Sequence, residues 1–272
     1  MPAPRFGVTD RPVDIVDRSG RWLAEQLGWR WVKSRGDLEV RVGPQVRRLG
    51  LQPSTWNRAG VATWVSARVS VLDDDLRAWR HARVANSVLP VSQHAVRPYV
   101  YNTLLINVEL DLANVECSGL PQPVPPTLTV GLDEFAAAFR ERVLPVLGLF
   151  QSPSVVARKL PVSWLSMIDH ATIEWALARG DQDAAALLLR RHLERPLTGK
   201  QRWEPRLDSF RRGWAAAPGR DGLPDPVLAY TTEALGWLAR VHDLPGPDTF
   251  RQLAPPDLQP EAERGDQDVP AD

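Results

Sequence analysis

Val61-Ala62-Thr63-Trp64-Val65-Ser66-Ala67-Arg68-Val69-Ser70-Val71-Leu72 is the stretch that decides the fold. Its odd positions are Val61, Thr63, Val65, Ala67, Val69 and Val71, and its even ones include Ser66, Arg68 and Ser70, with Trp64 as the large exception. Successive side chains of a strand point to opposite faces, so a period of two describes a strand with one face on a core. The run ending at Leu112 repeats the pattern. Val100, Leu104, Ile106, Val108, Leu110 and Leu112 fall on one expected face, and Tyr99, Tyr101, Thr103, Asn107, Glu109 and Asp111 on the other, with Leu105 among them.

Upstream, Trp29 to Lys33 and Leu38 to Val42 read as two short strands joined by Ser34-Arg35-Gly36-Asp37, a hairpin turn in which Gly36 supplies positive φ. Gln45 to Leu51 resumes as a strand after Gly43-Pro44. The expected sheet is antiparallel, of about four strands, with one apolar face that helices must cover.

The covering helices carry their own signals. Val13 to Leu27 is apolar at Ile15, Val16, Leu23 and Leu27, ends at Gly28, and is interrupted by Ser19-Gly20. Asp73-Asp74-Asp75 opens a helix to about Arg83, its carboxylates suited to capping free N–H groups. Phe135, Phe139, Val143 and Leu147 recur every fourth residue in a helix from Asp133 to Phe150 that Pro145 should kink.

From Ser163 the pattern is helical throughout: Ser163 to Gly180, Asp181 to Arg195, Pro205 to Ala217 and Pro226 to His242. Glu174 to Asp181, followed by Ala184 to Leu189, resembles the turn of a tetratricopeptide-type helical hairpin, without a repeat at fixed period. The expected architecture is α+β. A sheet domain spans 1–155, an all-helical region of about four helices spans 160–250, and a Pro-rich acidic tail at 255–272 is expected to be disordered.

The chain of 272 residues is 43% hydrophobic and 24% charged, a globular composition. Its formal net charge is zero, which argues against general attraction to nucleic acid or to an acidic membrane. Cys117 is the only cysteine, so no intrachain disulfide can form, and a reducing cytoplasm is the expected compartment. Neither a signal-peptide pattern nor a membrane-length apolar run is read. Eleven Trp and an Arg-dominated basic set supply the residue types that anchor protein interfaces.

Candidate sites are few. The histidines lack zinc spacing, and no phosphate loop or nucleophile elbow occurs, so neither metal nor cofactor is expected. His170 and Glu174 lie four apart on one helix, an arrangement read as surface pairing. Glu109 and Asp111, with Tyr99 and Tyr101, form the best polar–aromatic constellation and would be the acid–base pair of an enzyme of unfamiliar type. Arg41, Arg47, Arg48 and Arg58, with Trp56 and Trp64 nearby, form a cationic and aromatic surface. Such a surface suits a protein partner, or in a further reading single-stranded nucleic acid.

Leu23-Ala24-Glu25-Gln26-Leu27-Gly28-Trp29-Arg30-Trp31 leading into the strand at Asp37, with the strand Ala62 to Leu72, resembles small uncharacterised bacterial α+β domains, some of them immunity-like. The resemblance covers the first half of the chain and implies an immunity or accessory role. The functional expectation is a non-enzymatic cytoplasmic module that binds a protein partner, with no small molecule and no membrane.

Overall fold

The computed structural model of the chain describes residues 2–4, 6, 10–53, 64–82, 99–111, 128–160, 169–194, 203–216 and 232–251. Strands at 99–111 and 128–130 are described by their backbone alone. Trp56, Arg58, Cys117 and the tail at 255–272 lie outside the described residues.

Among the described residues, six strands form one sheet in sequential order: β1 (Arg30–Val32), β2 (Asp37–Val42), β3 (Gln45–Pro53), β4 (Trp64–Asp73), β5 (Tyr99–Asp111) and β6 (Leu128–Val130). Every neighbouring pair from β1 to β5 is antiparallel, as the alternating pattern requires. The α+β class, with an antiparallel sheet first and a helical region after it, is the architecture observed. The sheet is wider than the four clearest strands because β3 runs for nine residues and β6 adds an edge. β6 pairs parallel to β5, with Val108 opposite Leu128. Sequence periodicity is silent on a three-residue strand.

Register fixes the two faces. Val65, Ala67, Val69 and Val71 of β4 are fully buried and sit opposite Pro53, Leu51, Leu49 and Arg47 of β3. Helix α1 (Pro12–Leu27) lies on this face and runs unbroken through Ser19-Gly20. Both residues are buried, and a Cβ on Gly20 would lie 2.5 Å from the Trp31 ring. The dipeptide that reads as a helix break is therefore the seat on which a strand tryptophan packs. Gly28, at φ 67°, ends α1 as expected.

Helix α2 (Asp74–Ala82) follows β4 directly, and Asp73 is its cap: Oδ1 accepts the N–H groups of Asp75 at 2.9 Å and Leu76 at 3.1 Å. The expected kinked helix comprises α3 (Leu132–Ala138), a π-helical turn (Phe139–Val143) and α4 (Leu144–Leu149). Pro145 has no N–H to return to the previous turn, and the wide turn immediately before it absorbs the mismatch. Helix α5 (Pro153–Lys159), which the pattern did not suggest, then leads toward the helical region.

That region contains α6 (Asp169–Ala178), α7 (Gln182–Glu194), α8 (Trp203–Ala216), α9 (Thr232–Val241) and the short α10 (Pro247–Arg251). Asp181 caps α7 through the N–H of Ala184 at 3.0 Å. The crossing of α8 and α9 is close because it is made at glycines. A Cβ on Gly213 would overlap the Glu233 carbonyl, and one on Gly236 would overlap that of Phe210. No described helix is long and apolar enough to cross a membrane.

Candidate functional site

Among the described residues, Trp175 and Trp31 each donate an indole N–H to a carboxylate, and the two pairs differ in what surrounds them. At the first, α6 docks on the end of the sheet. Trp175 Nε1 donates to Asp73 Oδ2 at 3.0 Å, and Gln45 Nε2 and Arg179 Nη2 donate to the same oxygen at 3.1 and 2.8 Å. Arg179 also reaches Asp75 at 2.9 Å. At the residue before Trp175, Arg80 of α2 holds Glu174 of α6 through Nε at 2.8 Å and Nη2 at 2.5 Å, with both side chains buried. Glu174 and His170, expected on the surface, are both buried, and Glu174 is held by Arg80. Burying a carboxylate and a guanidinium is tolerable only because each neutralises and hydrogen-bonds the other. This centre is closed.

The second place is open. Asp17 of α1 accepts from Trp31 Nε1 at 2.8 Å, from Lys33 Nζ at 3.1 Å and from Arg21 Nε at 3.3 Å. Burial pushes the Asp17 carboxyl up, but these donors together outweigh it and hold its pKa below the ordinary value. The Trp31 ring, half-buried on Gly20, lines a cleft of about 470 Å³ between the start of α1 and the β1–β2 turn. Val13, Val16, Leu51 and Pro53 give the cleft its apolar wall, and Lys33 and Arg35 stand on its rim. Val13 is 60% exposed, an uncovered apolar side chain at the lip.

Behind the rim lies a carboxylate cluster. Glu39 accepts from Arg48 Nε at 2.6 Å and from Arg30 Nη2 at 3.1 Å, and it also binds Arg35. Burial pushes its carboxyl up, yet the arginines prevail and its pKa is lowered. Asp37 goes the other way, because burial there outweighs the pull of Arg48 and Arg35. Around the cleft Lys33, Arg35, Arg21 and Arg30 are exposed cations held by Asp17 and Glu39, whereas Arg41 and Arg47 lie toward the far end of the β2–β3 hairpin, near Asp74 and Val71.

The residues singled out from sequence are distributed rather than gathered. Arg41 pairs with Asp74 at 3.0 Å, and Arg48 is held by Glu39. Arg47, its neighbour on β3, lies on the opposite face, opposite Val40 and Val71, and is buried with no hydrogen-bond partner at Nε or Nη2. Burial lowers its pKa from the usual arginine value.

On β5, the register shifts twice. Glu109 and Asp111 sit opposite Ser66 and Trp64, and Tyr99 opposite Leu72, all even-numbered places on β4, whereas Tyr101 sits opposite Val71. The backbone register therefore does not carry Tyr101 in one row with Glu109 and Asp111. A β-bulge changes the parity of every residue beyond it, which a pure alternation argument cannot anticipate.

Val13, Asp17, Trp31, Lys33 and Arg35 were not among the expected site residues. The one local sign of them was Gly20, a helix-interior glycine whose position demands a close neighbour. No group of three or more potential metal ligands occurs among the described residues. Comparisons of the chain with protein-family models, with curated proteins and with solved structures find no match.

Proposed function

We propose that this chain is a non-enzymatic protein-binding module of the cytoplasm, and that its binding face is formed by α1 and the β1–β2 hairpin. The observation that carries the reading is the cleft: an apolar wall with a tryptophan side chain, an exposed valine at the lip and cations on the rim. Interface centres combine an aromatic anchor in a pocket with a polar, charged border, and arginine and tryptophan are favoured there. The closed centre at Asp73 has the opposite character, with its polar groups directed at one another, and serves the fold.

Affinity capture with the tagged full-length chain tests this reading. Wild-type protein should retain one protein partner in stoichiometric amount, and Lys33→Glu should lose it. Capture that returns no stoichiometric protein, or a partner held equally by both forms, would sink the assignment.

A further inference from the structure

We infer that the cleft beside Trp31 takes an extended acidic segment of a partner protein, with one carboxylate at Lys33 and an adjoining apolar side chain against Trp31 and Val13. This deepens the binding-module reading and rests on it. Lys33 has three ammonium donors, directs one at Asp17 and is 62% exposed, so donors remain for an incoming anion. The apolar wall has room for a side chain and the backbone that bears it, within the range of volumes typical of ligand clefts.

Exposed cations also extend past the cleft. Arg30 and Arg21 are 76% and 61% exposed and lie along the same end of the molecule. A small anion would meet the rim only, whereas a chain with spaced carboxylates reaches these arginines as well. Nucleic acid is the poorer fit. A phosphate backbone is gripped by a broad excess of cations, and this chain has zero net charge. An apolar wall offers that backbone nothing.

The test is fluorescence anisotropy with the full-length chain and three labelled probes. These are a peptide alternating Asp or Glu with Phe or Leu, the same peptide with lysine in place of its acids, and an oligothymidylate. The acidic peptide should bind saturably and lose affinity as salt is raised. Lys33→Glu and Val13→Asp should each weaken it about tenfold or more, equivalent to at least ~1.4 kcal/mol. Both positions are exposed, and unchanged urea midpoints would show that the variants fold.

The inference falls if the lysine peptide binds as well, if the oligothymidylate binds more tightly, if no saturable binding of the acidic peptide occurs, or if both variants bind like wild type. A partner captured by wild type and lost on Lys33→Glu, together with a failed acidic peptide, would leave the module reading standing and remove only the acidic-segment assignment.

Discussion

Trp31 with Asp17 and Trp175 with Asp73 are the same chemical pair in two settings. Each indole donates to an aspartate that also accepts from an arginine, at 2.8 and 3.0 Å. Trp175, carried on α6, is fully buried, and its aspartate has no exposure. Trp31 is half-buried and forms the wall of a cleft with cations at its rim. The difference lies in exposure: the Trp175 ring is enclosed in the core, whereas the Trp31 ring, seated on α1, also borders a cleft. A polar pair enclosed on all sides fixes how two parts of the chain dock, and the same pair left open presents an aromatic surface to a partner.

The largest expected effect breaks the closed side. Glu174→Ala strips the buried Arg80 guanidinium of its carboxylate and should cost about 3 kcal/mol in urea unfolding. The double change of Glu174 and Arg80 to Met should recover most of that loss, since an apolar pair of similar volume has no desolvation penalty. A double variant as unstable as the single would show that the ion pair is not the source.

Next come the two tryptophans themselves. Trp175→Phe should destabilise by about 2 kcal/mol, because a void and a lost donor fall within the core. Trp31→Phe should cost about 1 kcal/mol, since Asp17 retains Lys33 and Arg21 and water can enter. Equal losses at the two sites would erase the distinction between a closed and an open centre.

Arg47 sharpens the same point from the other direction. It shares the covered face with Gln45 and Leu49, yet Nε and Nη2 have no partner. Arg47→Met removes the burial cost of a charge while keeping the length of the stem, and should raise stability by about 1 kcal/mol. A loss of stability on this change would mean that the guanidinium is held by something more than packing.

The smallest effect is on acidification. Asp17 and Glu39 have depressed pKa values in the folded state, so their contribution is present above the ordinary carboxylate value of about 4 and is lost as pH falls through the depressed folded values. Asp37, with a raised value, has the opposite sign: its contribution is full below the unfolded value and declines as pH rises through the folded one. The net expectation is that the hairpin end loosens as pH falls below about 4. The indole N–H resonance of Trp31, assigned by its loss in Trp31→Phe, should shift or broaden on acid titration. A Trp31 signal unchanged until the whole chain unfolds would count against it.

Much of the fold was legible in the chain because it depends on local periodicity. The alternation in β4, the acidic start of α2 and the glycine stop of α1 each report a backbone preference within a few residues. That Arg47 and Arg48 face opposite ways was implicit too, since neighbours on a strand must. The width of the sheet was less accessible. Leu128–Val130 is too short to carry a pattern and exists because β5 offers it a parallel edge.

The candidate site was the least legible part. Val13, Asp17, Trp31, Lys33 and Leu51 come from a helix, a strand, a turn and another strand. Nothing in their spacing joins them, and the aromatic and arginine residues conspicuous in the sequence are instead divided between the two faces of the sheet or outside the described residues.

What the sequence determined by itself is therefore most of the elements and, away from bulges, the face each one buries, because hydrophobic period and capping chemistry act over a few residues. The tertiary structure alone decided which carboxylate each arginine meets, which tryptophan is enclosed and which is left open, and on which side of a bulge a strand residue falls. Those outcomes depend on how helices cross the sheet and on register across strands, and such contacts link positions far apart in the chain.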